Sequence, residues 1–326
     1  MKKARAIKTK NGFTLVELLV SFSVLSIIII GLATMMGFVA KTWLYGVNSG
    51  DNFMKARVVM GLVDRDIQMM VLRRDLPSFV DNLGNPACAF YTNVEGSANN
   101  TRTVSLVQYK LANPTTAPTL QRLDYAANFS SVMPTVGTSN LSQLSNANVV
   151  TETVFNGIIR FQIQFVDGSG TILTPAPTYT LTSSPPYTSS NKPPYMAAPP
   201  TGSPTPATSF WFDFYNPGAS YNPRSVVISM VVLSDAAYKI AQLNSTAMTS
   251  LLNDFPVSST GLPSAMPSTT TSNGTYASQT YAQYWDSILN PTSGSFDSSL
   301  PAAIRDRGAI QVYERHIPLP LTTPSN

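Results

Sequence analysis

The chain has 326 residues, 21 of them basic and 17 acidic, with one cysteine (Cys88) and one histidine (His316). That inventory excludes an internal disulfide, most zinc sites, and any Ser-His-Asp or Cys-His machinery that does not use His316. Charged residues are only 12% of the chain, about half the usual share of a soluble domain, and Ser, Thr, Asn and Pro take their place. The composition points to an extracytoplasmic, loop-rich surface. The net charge of +4 does not mark a nucleic-acid surface. Five of the basic residues (Lys2, Lys3, Arg5, Lys8 and Lys10) precede Gly12, so the remaining 16 face 17 acids.

Residues 1–12 form a basic leader without acids, and residues 13–40 are almost wholly apolar or small. As a helix, that apolar run is about 40 Å long and crosses a hydrocarbon core of about 30 Å. Basic residues flank it on the N-terminal side only, so the N-terminus is expected in the cytoplasm and the bulk of the chain outside it. Trp43 and Tyr45 fall where an interfacial aromatic pair sits. A cleaved secretory signal has a shorter apolar core and a small-residue cleavage site, and neither is present here. A plain signal anchor accounts for length and orientation but leaves Glu17 unexplained. An ionisable group at the centre of a membrane helix costs roughly 2.5–3.5 kcal/mol on insertion scales. A helix that leaves lipid to meet a partner gives Glu17 a role, with a new amino group on Phe13 of a neighbouring subunit as the counter-charge.

The run Gly12-Phe13-Thr14-Leu15-Val16-Glu17-Leu18-Leu19-Val20 after a short basic leader resembles the class III signal of type IV pilins and type II secretion pseudopilins. The resemblance implies that a prepilin peptidase cuts after Gly12 and N-methylates Phe13. It also implies that Glu17 pairs with a neighbour's N-terminal amine during filament assembly. The expected partners are the peptidase, other pilin-like subunits and a bacterial inner membrane, with the head periplasmic and no nucleic acid.

Beyond the membrane run, Val59, Leu62, Val63, Ile67 and Met70 recur at three- and four-residue spacings, which predicts an amphipathic continuation of the helix over residues 42–76 with a bend around Gly46 to Gly50. Asp64, Arg65, Asp66, Arg73, Arg74 and Asp75 are read as its solvated face. Pro77 ends it. The head, residues 77–326, then reads as short strands. Thr103–Tyr109 and Leu120–Tyr125 flank an Asn113-Pro114 turn, and 126–153 reads as loop. Ile159, Phe161, Ile163 and Phe165 alternate with Arg160, Gln162 and Gln164, a half-buried strand closed by Asp167-Gly168. Residues 174–209 hold ten prolines and read as an extended insertion. The cluster Phe210 to Tyr215 contains Trp211, Phe212, Phe214 and Tyr215 and is a candidate interface or core patch. Arg224 to Leu233 is nearly continuously apolar, as a strand buried on both faces should be. Ala236 to Leu252 and Tyr276 to Leu289 read as helices, 256–275 as a second loop insertion, and Ile310 to Ile317 as the last strand.

The fold class is therefore α+β: a long N-terminal helix, transmembrane over 13–41 and then amphipathic, packed on an antiparallel β-sheet head with large loop insertions. The order of these downstream segments resembles the minor pseudopilin J group of type II secretion. The size of the chain and Phe210-Trp-Phe-Asp-Phe-Tyr-Asn-Pro217 also resemble the Verru_Chthon cassette protein C family. No P-loop, Rossmann glycine pattern or EF-hand loop is present, and the carboxylates sit singly or beside arginines. No cofactor is expected. Asp235 and Asp254 lack the spacing of a calcium site, and His316 reads as structural. A bulky head fits a filament tip better than a repeating shaft, so the expected role is a minor, tip-type pseudopilin. The alternatives are a minor pilin acting as an adhesin and, further off, a membrane-anchored enzyme.

Overall fold

The apolar run and the amphipathic segment after it are one helix, α1 (Leu15–Gln68). Residues 15–68 contain no proline, and the helix runs through Gly46 and Gly50 without interruption. The computed structural model describes residues 14–71, 79–81, 87–93, 104–113, 115–127, 149–167, 170–173, 209–210, 223–256, 268–271, 274–277, 279–289, 300–305 and 308–319. The chain divides into two compact units, Met1–Val47 and Asn48–Asn326. In the first, every described side chain is exposed, and the helix is long and apolar enough to cross a membrane.

In the second unit α1 buries Ala56, Val59, Met60, Val63 and Ile67, the stripe that the spacing predicts. Each of those side chains, fully withdrawn from water, contributes about 1.5–3 kcal/mol at Val or Ile size. The helix stops at Gln68 and not at Leu76, because the next residues enter a sheet edge. Met70 bridges Thr92, Val71 N–H donates to the Tyr91 carbonyl at 2.8 Å, and Asn93 N–H donates to the Met69 carbonyl at 3.0 Å.

Two antiparallel sheets follow. The first has the order β5-β4-β3-β2-β1-β8, built from β1 (Phe79–Asp81), β2 (Ala87–Thr92), β3 (Val104–Ala112), β4 (Thr119–Ala127), β5 (Val150–Asn156) and β8 (Ser209–Phe210). The second runs β10-β11-β7-β6-β9-β12, from β6 (Ile158–Asp167), β7 (Ile172–Leu173), β9 (Pro223–Leu233), β10 (Ser268–Thr271), β11 (Gly274–Ala277) and β12 (Ile310–Pro318). One residue, Gly157, carries the chain from β5 in the first sheet to β6 in the second. Its φ of +83° suits glycine alone, and a Cβ there would stand 3.0 Å from the Leu233 carbonyl oxygen.

The second sheet is covered on both faces, which explains the continuous apolar run of β9. Val226, Ile228, Met230 and Val232 share a core with α1 and with Phe90, Val107, Tyr109, Leu111 and Leu120 of the first sheet. Val227, Val231 and Leu233 point the other way, into a core with the helices α2 (Asp235–Leu243), α3 (Ser245–Asp254), α4 (Tyr281–Leu289) and α5 (Ala302–Arg305). Trp285 of α4 is fully buried in that second core and donates its indole N–H to the Pro256 carbonyl at 3.3 Å.

Several sequence expectations change. The segment expected to be loop over 126–153 ends in a strand, β5. Its Val-Thr-Glu-Thr-Val run is β-branched but lies at a sheet edge with Thr151 to Thr153 exposed, so no alternation betrays it. The second insertion, 256–275, contains β10 and much of β11, a hairpin of Thr-rich strands paired from Ser268↔Ala277 to Thr271↔Gly274. Threonine favours strands as well as loops, and composition alone does not separate the two. The helix expected over Ala236 to Leu252 is two helices. Asn244 separates them, its N–H closing α2 on the Ala241 carbonyl and its side chain accepting from Ala247 N–H to open α3. The proline-rich insertion 174–209 lies outside the described residues apart from Ser209.

Candidate functional site

The candidate site at the N-terminus is built on the first turn of α1. Thr14 precedes the helix and Glu17 is its third residue, so the pair has the Thr-x-x-Glu spacing of a capping box. The geometry follows that spacing. Thr14 N–H donates to Glu17 Oε2 at 3.0 Å and the Thr14 hydroxyl donates to the same oxygen at 3.0 Å. Glu17 N–H donates back to Thr14 Oγ1 at 3.3 Å. One turn on, the Ser21 hydroxyl donates to the Glu17 carbonyl at 2.7 Å. The carboxylate thus folds back over the N-terminal end of its own helix, where partial positive charge from unpaired N–H groups favours it. Glu17 is the only charged residue between Phe13 and Lys41. Gly12 and Phe13 lie outside the described residues, as do Trp211, Phe212, Phe214 and Tyr215.

In the head, polar side chains of α1 bind the sheets at three levels. Nearest the start of the unit, Gln311 Nε2–H donates to Ser49 Oγ at 2.7 Å, and buried Asn52 donates to the Gly308 carbonyl at 3.3 Å. Next, Lys55 donates to the Leu233 carbonyl at 3.3 Å and pairs with Asp235, one of the two carboxylates weighed for calcium. Highest, Asp64 pairs with Arg315 of β12, and Asp66 sits wholly buried among charges.

Asp66 corrects its placement on a solvated face. Its Oδ2 accepts from the Tyr109 hydroxyl at 2.6 Å and from Arg122 Nε at 2.7 Å. Arg122 also reaches Asp124 at 3.3 Å. Burial works against the Arg122 charge, yet the hydrogen bond and charge of Asp66 hold its guanidinium above the ordinary value. Burial first, then the Asp66 charge, push the Tyr109 phenol well above its ordinary range. The signal was present in the spacing: position 66 continues the 59, 63, 70 stripe, so a carboxylate there needs a buried partner. Arg73, Arg74 and Asp75 lie outside the described residues.

The strand β6 holds a second correction. Arg160 and Gln164 alternate with apolar residues, but neither faces water; they are 9% and 3% exposed. Arg160 Nε donates to the Phe255 carbonyl at 2.6 Å and its guanidinium also reaches the Leu252 carbonyl, which satisfies the C-terminal end of α3. Burial pushes the Arg160 guanidinium down to about 10. Gln164 Oε1 accepts from Tyr281 N–H at 2.8 Å, at the start of α4. These side chains are sockets for helix ends. His316 is exposed on β12 and hydrogen-bonded to Glu314 at 2.8 Å. Among the described residues, no three or more His, Cys, Asp or Glu side chains gather as a metal site would require.

With the N-terminal geometry established, comparison identifies the class. Residues 7–33 match the prokaryotic N-terminal methylation motif. That motif belongs to structural subunits, so the chain carries a type IV pilin- or pseudopilin-like N-terminus. No curated protein matches the chain.

Proposed function

We propose that this chain is a minor, tip-type structural subunit of a type II secretion or type IV pilus-like filament, and that it has no enzymatic role. The observation that carries the reading is the methylation motif at 7–33 running into an apolar stretch in which Glu17 is the single charged side chain between Phe13 and Lys41. In this reading the leader 1–12 stays cytoplasmic until a prepilin peptidase cuts between Gly12 and Phe13 and methylates the new amine. The head, residues 77–326, then stands on the periplasmic side. Glu17 meets the Phe13 amine of a neighbouring subunit as the helix leaves lipid, where an isolated ion is costly and a paired one is not. The tip position follows from bulk: a repeating shaft subunit has neighbours on all sides, and a tip subunit has one free face.

Mass spectrometry of the native N-terminus tests the processing step. A chain beginning at N-methylated Phe13 is expected, and an intact Met1 in cells that carry the peptidase would sink the proposal. Replacing Glu17 by Ala should leave membrane insertion intact and abolish recovery of the subunit with sheared filaments; undiminished recovery removes the pairing from the mechanism.

A further inference from the structure

The capping box assigns a task to a second residue of the motif. We infer that Thr14 is a positioning residue for assembly: it holds the Glu17 carboxylate, ionised and hydrogen-bonded, over the N-terminal end of α1 until a neighbour's amine arrives. The inference rests on the Glu17 pairing proposed above and adds the means by which the carboxylate is kept ready.

The argument starts from the bonds. Oε2 of Glu17 accepts two hydrogen bonds from Thr14, one from the backbone and one from the hydroxyl, each at 3.0 Å. The backbone donor is the amide between Phe13 and Thr14, so cleavage after Gly12 leaves it in place. The hydroxyl also accepts from Glu17 N–H, so a single Thr side chain both receives from and donates to the same glutamate. In water such a box is a modest stabiliser of a helix end. Where water is scarce, each unsatisfied backbone N–H and each unsatisfied carboxylate oxygen costs far more, and the box satisfies two backbone N–H groups and Oε2 of the carboxylate at once. It also fixes direction. A glutamate side chain has three rotatable bonds, and only conformers that fold back toward the helix start let its carboxylate accept from Thr14. Thr14 selects those conformers. A neighbour's arriving amine then meets a carboxylate already held at the end of its helix and exchanges one set of donors for another, without a stage at which the charge is bare.

The side chain, not merely helix capping, is what the inference requires, so three variants separate the cases. Thr14→Val keeps shape and β-branching and removes the hydroxyl. Thr14→Ser restores the hydroxyl on a smaller frame. Glu17→Gln keeps an acceptor for the box and removes the charge. Each is expressed as the full chain in its native cell. The fraction cleaved and methylated is read by mass spectrometry, and incorporation into sheared filaments is scaled to that processed pool. Loss of a cap shifts a local equilibrium by roughly fivefold, so Thr14→Val should lower scaled incorporation by about that factor, with Thr14→Ser near the native level and Glu17→Gln near zero. Native incorporation of Thr14→Val beside a failing Glu17→Gln overturns the inference and leaves the pairing standing. A Thr14→Val defect confined to cleavage overturns it as well, by placing the threonine in peptidase recognition. Equal loss in the Ser and Val variants does the same, since the hydroxyl then is not the active group. Normal incorporation of Glu17→Gln removes the charge pairing itself.

Discussion

Replacing Asp66 by Asn tests whether the α1–sheet junction is ionic or merely apolar. Asn has the shape of Asp, and its amide oxygen in the place of Oδ2 can still accept from the Tyr109 hydroxyl and Arg122 Nε, but it brings no negative charge to balance the guanidinium. Arg122 has a side chain 7% exposed and, among the described residues, keeps only Asp124, at 3.3 Å, as a counter-charge. Removing one partner of a buried ion pair costs roughly 3–5 kcal/mol. The remaining Asp124 contact moves the expectation to the lower end, about 3 kcal/mol. For a head of this size that corresponds to a fall in Tm of about 6–10 °C. Urea unfolding of the detergent-solubilised chain, followed by near-ultraviolet circular dichroism, measures it, with m unchanged if only the native state is affected. Pairing the change with Arg122→Met should recover much of the loss, because no charge is then left alone. A loss below about 1 kcal/mol for Asp66→Asn alone would mean that the carboxylate behaves as a solvated surface group and that the buried network is not a junction.

Tyr91 supplies a pH dependence: burial first, and the nearby Tyr125 second, push its phenol up to about 12. The fold holds that proton while the unfolded chain releases it near 10, so the contribution is complete below pH 10 and is lost as pH rises to 12. Tyr91→Phe should therefore remove about 2–3 kcal/mol of the alkaline loss in that window, read from urea midpoints at successive pH values. Tyr109 continues to contribute in the same direction, and the buried Arg160 guanidinium opposes both, because its neutralisation above pH 10 relieves a cost of folding. Arg160→Met should cost about 2 kcal/mol by removing the guanidinium donors to the Leu252 and Phe255 carbonyls, and hydrogen exchange should quicken in α3 before the rest of the head. Gly157→Ala should cost roughly 1–3 kcal/mol for its positive φ, with further strain from the 3.0 Å approach to the Leu233 carbonyl, measured by the same urea titration.

What the sequence reveals depends on whether the covering element is near or far along the chain. The α1 stripe and the apolar run of β9 are legible because periodicity reports burial directly, whatever does the burying. Arg160 and Gln164 are misread because alternation implies a wet face only when nothing packs on it. The helices that do so start at Asp235, beyond a long insertion, and no local pattern announces them. Asp66 is misread for the opposite reason: it sits within the buried stripe, where its charge suggests solvent but its position dictates burial. The strands β5, β10 and β11 are lost because Thr-rich edge and hairpin strands share their composition with loops. At the N-terminus the Thr-x-x-Glu spacing of a capping box is legible in Thr14 and Glu17.

The distribution of charge along α1 separates its two tasks. From Asn52 onward four of its polar side chains reach partners in the head: Asn52 reaches the carbonyl at Gly308, Lys55 reaches Asp235, Asp64 reaches Arg315, and Asp66 reaches Tyr109 and Arg122. Those pairs fix the helix at defined heights on the sheets, which apolar contacts alone do poorly, since a greasy stripe can slide by a turn at small cost. From Leu15 to Val47 the helix makes no such matches, and every side chain faces outward. A segment of that kind is held in place only by what surrounds it, whether lipid or other helices, and apolar surfaces of either sort serve it almost equally. The exchange between them is nearly neutral for the leucines and isoleucines, so it needs one directional interaction to decide its outcome. In the assembly proposed above, Glu17, hydrogen-bonded to Thr14 at the end of the helix, supplies it.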